Sequence, residues 1–277
     1  MIINDRHGFA FVHIPKAGGS TIRSALRAYD ESHDRYYAKS VADHPVLGRL
    51  DYPHIPLDIL AAHFQEDFER LRRYHSFAVM REPFARFRSA VAQRLRMYKR
   101  MDLEQVTDED VRTEITEAVA YLSATTGSTA GYDCDFIHYL PQARFVYHES
   151  QQIVQRVYPL DHVDNLLGDI SVLVGKDLDP EPKRNVSFEN RLSGLWAAQR
   201  ISQTWVEPYL PRALWKPPLA ATRRLMFRTG VFRNWDQLYD PLFRNAEVRG
   251  FVNEYYAQDI ALFKRVAEAA LPDMTTT

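Results

Sequence analysis

Residues Phe9-Ala10-Phe11-Val12-His13-Ile14 form a nearly unbroken apolar run, the pattern of a strand buried on both faces of a parallel sheet, and the run stops at Pro15. From Ser20 to Tyr29, the apolar positions Ile22, Ala25, Leu26 and Tyr29 fall at helical spacing, so the unit reads strand, glycine turn, helix. The pattern repeats at Ser76-Phe77-Ala78-Val79-Met80. That run leads through Arg81-Glu82-Pro83 into a helix whose apolar stripe is Phe84, Phe87, Val91 and Leu95. Ala143-Arg144-Phe145-Val146-Tyr147 is the third candidate strand. Strands alternating with helices predict an α/β fold with a mainly parallel sheet. A capping-box-like start at Thr107-Asp108-Glu109-Asp110 predicts a helix with Val111, Ile115, Val119 and Leu122 on one face and the acidic run in solvent. Val252, Tyr256, Ile260 and Phe263 make a last amphipathic stripe, expected to pack on the sheet.

Composition narrows the class. With 277 residues, 45% of them hydrophobic and 26% charged, the chain can build one large α/β core, and a single domain over 1–277 is expected. Lys+Arg of 35 against Asp+Glu of 36 leaves a formal charge of -1, so no global basic field points to nucleic acid and any anion site must be local. The stretch 212–233 is the local exception. It carries Arg212, Lys216, Arg223, Arg224, Arg228 and Arg233 with no acidic residue, interleaved with Trp215, Phe227 and Phe232. It reads as part of a helical, basic insertion at about 190–245 packed on the domain, and a surface for an anionic glycan or for peripheral membrane contact is the alternative. Cys134 is the one cysteine, which rules out an internal disulfide and a cysteine-based zinc set; a reducing compartment, the cytoplasm, is expected. The charged pair Asp5-Arg6 comes too early for a signal peptide, and no run of about 18 apolar residues occurs. Oligomeric state is not readable.

The turn Pro15-Lys16-Ala17-Gly18-Gly19-Ser20-Thr21 lies where a buried strand meets a helix, so backbone N–H groups and a helix N-terminus form an anion cradle there. The glycines allow close approach, Lys16 adds a mobile charge, and Ser20 and Thr21 add short donors. A plain tight turn capped by Ser20 is the alternative. A Walker A loop places its lysine after the glycines, whereas Lys16 precedes them, which disfavours ordinary ATP or GTP hydrolysis. Arg81 leaves the C-terminal end of a buried strand, where α/β sheets bind ligands, and its fork suits bidentate phosphate contact. At ~100° per residue, Ser89 lies nearly opposite the Phe84, Phe87 and Val91 stripe.

His13-Ile14-Pro15-Lys16-Ala17-Gly18-Gly19-Ser20-Thr21 resembles the 5′-phosphosulfate loop of the Golgi-type and bacterial carbohydrate sulfotransferases, H-I-P-K-T-G-G-T/S, departing at Ala17, where the family's threonine would offer another hydroxyl. Arg81-Glu82-Pro83-Phe84-Ala85-Arg86-Phe87-Arg88-Ser89-Ala90-Val91 resembles that family's second motif, R-D-P-x-x-R-F-x-S-x-Y/V. The resemblance implies a P-loop-like three-layer fold with a central mainly parallel sheet flanked by helices. It implies 3′-phosphoadenosine 5′-phosphosulfate as co-substrate, no metal, and a carbohydrate or glycolipid hydroxyl as acceptor. Pro15 through Thr21 would hold the 5′ end, Arg81 and Ser89 the 3′-phosphate, and Lys16 would stabilise the leaving oxygen. Ala61-Ala62-His63-Phe64 resembles the family's G-H-F segment, with alanine at the glycine, and makes His63 the implied base. An ordinary histidine pKa near ~6.5 suits that role.

His33, His54, Asp51 and Asp58 remain competitors for the base, and His13 is expected to support the loop. Arg86 and Arg88 are left as channel or surface residues. Cys134 reads as a buried small residue. Asn185-Val186-Ser187 resembles the family's N-x-S element, so Lys183, Arg184 and Ser187 are candidates for the nucleotide site, and the similarity is weakest from Asn190 to Arg244. A kinase-like phosphoryl transferase and a non-catalytic nucleotide- or glycan-binding module are the alternatives. The former would need metal-holding carboxylates; the latter would bind nucleotide without transfer.

Overall fold

The computed structural model describes residues 1–33, 35–36, 41–103, 105–125, 133–178, 188–190 and 232–270. Most of the basic stretch 212–233, and Lys183, Arg184, Asn185, Val186 and Ser187, lie outside the described residues. Strands β1 (Ile2–Asn4) and β2 (Phe9–Val12) lead into helix α1 (Gly19–Leu26). A hairpin of β3 (Val41–His44) and β4 (Gly48–Asp51) precedes α2 (Leu57–His63) and α3 (Gln65–Arg73). Then come β5 (His75–Met80), α4 (Pro83–Met97) and α5 (Asp108–Thr125). The short pair β6 (Tyr147–His148) and β7 (Gln151–Gln152) is followed by β8 (Arg156–Pro159) and α6 (Val163–Val174). The pair β9 (Phe188–Asn190) and β10 (Phe232–Asn234) is followed by α7 (Trp235–Leu238), α8 (Asp240–Phe243), α9 (Ala246–Tyr255) and α10 (Ala257–Ala269).

The main sheet has the order β1-β2-β5-β8, with β1 antiparallel to β2 and the other pairs parallel, so the chain is an α/β protein with a mostly parallel sheet. Side-chain alternation divides the apolar residues between two cores. Phe9, Phe11, Phe77 and Val79 face one side, against Ile22 and Leu26 of α1 and Leu166 and Ile170 of α6. Ala10, Val12, Ala78 and Met80 face the other, against Leu60 of α2, Phe68 and Leu71 of α3 and Leu262 of α10. A slip of one residue would exchange the two faces, so the register Phe11↔Phe77 is set by packing on both sides. A third core joins α4, α5, α7, α8 and α9 around Phe87, Val91, Leu95, Val111, Leu122, Trp235 and Val252.

Thr107 and Asp110 make the expected reciprocal cap: each side chain accepts the other residue's backbone N–H, at 2.8 and 3.2 Å. The third parallel strand differs from expectation. Gln142–Phe145 is a 3-10 turn, and the strand beside β5 is Arg156–Pro159. Two consecutive N–H groups, of Gln142 and Ala143, donate to the buried carboxylate of Asp259 at 2.7 and 2.8 Å, so these donors are lost to a strand ladder. Instead of one stripe on the sheet, the C-terminal segment breaks at Tyr256. Val252 and Tyr256 pack against α4 and α5, and Leu262 and Phe263 pack against the sheet. Among the described residues no helix is long and apolar enough to cross a membrane.

Candidate active site

Because β2 and β5 are parallel neighbours, the turns after them leave the same edge of the sheet. In the first turn, Lys16 takes φ 64° and Gly18 φ 78°, and α1 then starts at Gly19. Glycine adopts that conformation without penalty, whereas the lysine is held there at a cost on the order of 1 kcal/mol. No side chain caps the first turn of α1 and no acidic residue sits in it; the Thr21 N–H donates to the Gly18 carbonyl at 3.2 Å, and the N–H groups of Gly19 and Ser20 are the ones that can meet an anion or water. Ser20 is exposed and Thr21 half-buried beside them, and Pro15 is buried. Ala17 is 1% exposed with its methyl in the core, so the position where the family carries threonine is an apolar one here.

The close packing of Gly19 has a measurable consequence. A Cβ there would stand 1.8 Å from Cδ2 of His13, whose ring is buried against His54 and Arg23 and has no room to swing aside. Gly19→Ala is expected to lower stability by about 1–3 kcal/mol, read from denaturant unfolding, and to weaken binding of any phosphate at the loop. An unchanged midpoint would contradict this packing.

The second turn is locked by a reciprocal pair: the Arg81 N–H donates to Oε1 of Gln142 (3.0 Å), and Nε2 of Gln142 donates to the Arg81 carbonyl (2.8 Å). Glu82 caps α4, accepting from the N–H groups of Phe84 (3.0 Å) and Ala85 (2.8 Å). Arg81 is half-buried, and so is Ser89, which lies off the buried Phe87 and Val91 face as its spacing requires. Two side chains of α4 reach the first turn. Nζ of Lys16 donates to Oε1 of Gln93 at 2.9 Å, an oxygen that also accepts from Arg96 at 2.8 Å. Arg86, far from being a channel or surface residue, is 1% exposed. Its Nε donates to the Pro15 carbonyl (3.1 Å) and its NH2 to the carbonyls of His138 (3.0 Å) and Leu140 (2.5 Å). Burial lowers its pKa, opposed by Tyr256 and Asp259. Arg88 pairs with Asp240 at 2.8 Å.

The histidines separate into two groups. His63 is exposed at the end of α2, with the His44 ring 5.7 Å away. His33 is exposed, and Asp58 pairs with Arg144. Beneath the first turn, by contrast, lies a polar cluster of His13, His54, His138 and Asp51. The His13 and His54 rings are 4.4 Å apart and those of His54 and His138 5.6 Å apart. Nδ1 of His54 lies 3.1 Å from Oδ1 of Asp51, close enough to pair but off the line of a hydrogen bond. Burial holds His13 and His138 well below the usual histidine range, reinforced in both by His54 and in His138 also by Lys16. Burial also lowers His54, with Asp51 acting in the opposite direction. All three rings are therefore neutral at neutral pH. Cys134 is buried and its thiol is pushed up to about 11, chiefly by desolvation, so it is a packing residue, not a nucleophile.

At the ends of β5 and β8 a cavity of 510 Å³ opens, lined by Phe84, Pro159, Asn253, Ile260, Phe263 and Lys264 among others. It adjoins the first turn, because Leu160, next after Pro159, packs onto Gly18 so closely that a Cβ there would stand 2.4 Å from Cδ1 of Leu160. Its volume is in the range that holds a cofactor-sized ligand, about 300–1,000 Å³. The cavity thus lies beside the first turn and the N-terminus of α4, and its lining also carries the acidic side chains Glu82, Asp161 and Glu268.

Residues 1–155 match the family described as the Sulfotransferase family. Neither a curated protein nor a solved structure matches the chain.

Proposed function

Because the chain belongs to the sulfotransferase family, we propose that it moves a sulfuryl group from 3′-phosphoadenosine 5′-phosphosulfate to a hydroxyl of a carbohydrate or glycolipid acceptor, on a P-loop-like three-layer fold. The observation that supports this reading is the meeting of the two strand-to-helix turns at one edge of the sheet, bridged by Arg86 to Pro15 and Lys16 to Gln93. In this reading Pro15 through Thr21 hold the 5′ end and Arg81 and Ser89 the 3′-phosphate. When bound, the donor supplies the sulfuryl group and departs as the bisphosphate. Lys16 places a cation beside the oxygen on which charge grows. The N–H groups of α1 fix the same end by direct donation and by the helix dipole. A base in the pocket receives the acceptor proton, and His63 is the base that the family resemblance implies. Lys16 precedes its glycines, unlike the lysine of a Walker A loop, which disfavours kinase-like chemistry.

Incubation with radiolabelled phosphosulfate donor against a panel of glycans, glycolipids and small alcohols, followed by product identification, tests class and acceptor together. Label transferred from γ-labelled ATP with Mg²⁺ instead would replace this reading by phosphoryl transfer. For the second turn, Arg81→Ala is expected to weaken binding of adenosine 3′,5′-bisphosphate by about 10- to 100-fold, the loss of one charge-assisted bidentate contact. Affinity for adenosine 5′-monophosphate should hardly change. Calorimetry with the two nucleotides checks it, and equal losses for both would move Arg81 away from the 3′ end.

A further inference from the structure

We propose that Asp51, His54 and His138 form a structural site for one first-row divalent metal ion, with zinc as the expected occupant. The site stands apart from the sulfuryl-transfer reading above, and no step of that reaction runs through it. Local sequence prepares one side. Asp51 ends β4 and precedes the 3-10 turn Tyr52–His54, with Pro53 inside it. In such a turn side chains three residues apart are nearly eclipsed, which sets the carboxylate and the imidazole side by side. On the other side, His138 belongs to the 3-10 stretch Cys134–Tyr139. That stretch is tied down by Arg86, which donates to the His138 carbonyl at 3.0 Å, and by Asp135, which pairs with Arg49 of β4 at 3.2 Å. One donor atom from each of the three side chains then falls within 4.8 Å of the other two.

Hydrogen bonding leaves the cluster unsatisfied. Oδ1 of Asp51, Nδ1 of His54 and Nδ1 of His138 are buried without a hydrogen-bond partner among the described residues. Asp51 and His138 are each only 4% exposed, so bulk water does little for them. Three such groups converging on one place are costly unless a ligand joins them. The angle between two of them points to a cation. Oδ1 of Asp51 lies 3.1 Å from Nδ1 of His54 and yet off the line of a hydrogen bond, whereas a shared proton would hold the atoms in line. Two ligands of one ion point at the ion and not at each other, and at about 2.0–2.1 Å from a tetrahedral centre they stand about 3.3 Å apart.

Two imidazoles and one carboxylate are donors suited to Zn²⁺, whereas Mg²⁺ and Ca²⁺ take oxygen shells of six or more. Burial holds both rings neutral, so each keeps a lone pair. Arg23 acts on His54, and Lys16, Arg86 and Arg96 act on His138, against the one carboxylate. That field weakens the site relative to a zinc centre with four protein ligands, so the ion should yield to a strong chelator. With three protein ligands, the fourth position goes to water. The ion's work is mechanical. It ties β4 to the 134–139 turn beneath the donor loop, where the His13 ring, 4.4 Å from that of His54, fills the space against Gly19.

The test uses the whole chain, purified without an affinity tag or chelator. Plasma mass spectrometry should find about one zinc per molecule. Removing it with a strong chelator should lower Tm, and Zn²⁺ at about a hundredfold over its dissociation constant should restore the loss, a rise of roughly 5–10 °C for a chain of this size. Mg²⁺ should restore nothing. Asp51→Asn and His138→Gln should each lose the bound metal and the Zn²⁺-dependent rise in Tm, while His63→Ala, on another element, keeps both. Where a variant does not fold, the response of the wild type to chelator and Zn²⁺ decides. A wild type that carries no metal and whose Tm ignores Zn²⁺ overturns the proposal, and water then fills the site. Metal kept at full stoichiometry in either variant overturns it too, because the ion then sits elsewhere. Neither readout uses activity, so the result is independent of the sulfuryl-transfer reading.

Discussion

Lys16→Ala is expected to lower kcat by about 10²- to 10³-fold, the effect of removing one preorganised group from a developing negative charge. The side chain stands at the start of α1, and its Nζ is held by Gln93. The loss should therefore fall on turnover more than on ground-state binding, since the backbone N–H groups of α1 remain to hold the phosphate. Steady-state kinetics with saturating donor checks the split. A variant that kept wild-type kcat while losing donor affinity would recast Lys16 as a binding residue. One with neither change would remove Lys16 from the site.

Arg86→Met should have the largest effect on stability among the site's neighbours. The guanidinium is fully buried and serves the carbonyls of Pro15, His138 and Leu140. Methionine fills much of the volume but leaves buried acceptors unpaired, at about 1–3 kcal/mol each and less than additively. A net loss of about 3–5 kcal/mol follows, which for a chain of this size lowers Tm by roughly 5–10 °C. Arg86→Lys should recover little, because one ammonium cannot point at three carbonyls spread around a planar fork. Calorimetric melting checks both variants. Below the transition, the loosened Pro15 should also raise KM for the donor. A Tm within 1 °C of wild type would show that water replaces the clamp.

Much of this fold is legible in the sequence, and where the structure differs from the local pattern the cause is physical. The runs Phe9–Val12 and Phe77–Met80 have no good home except a strand buried on both faces, and each strand is followed by a turn and an amphipathic helix. The clamp of Arg86 was hidden by its charge. At helical spacing Pro83, Arg86, Phe87, Ala90 and Val91 share one face, and all five are buried, so the periodicity placed Arg86 inside while its residue type suggested the surface. Ala143–Tyr147 has a better β pattern than Arg156–Pro159, yet the latter is the strand beside β5. Asp259, more than a hundred residues later, takes the N–H groups that a strand would need.

The sequence by itself determined the two strand-turn-helix units, their glycine and arginine chemistry and their order, because these rest on spacing within about ten residues, where backbone geometry converts pattern directly into direction. Only the tertiary structure decided that both turns share one edge, that Arg86 and Gln93 tie them together, and that His54 sits beside His13 beneath the first turn while His63 is exposed beside His44. The Arg86–Pro15 and Lys16–Gln93 bonds join residues 71 and 77 positions apart in the chain. Which of several histidines meets a given loop depends on how helices and hairpins pack around the sheet, and no local periodicity carries that information.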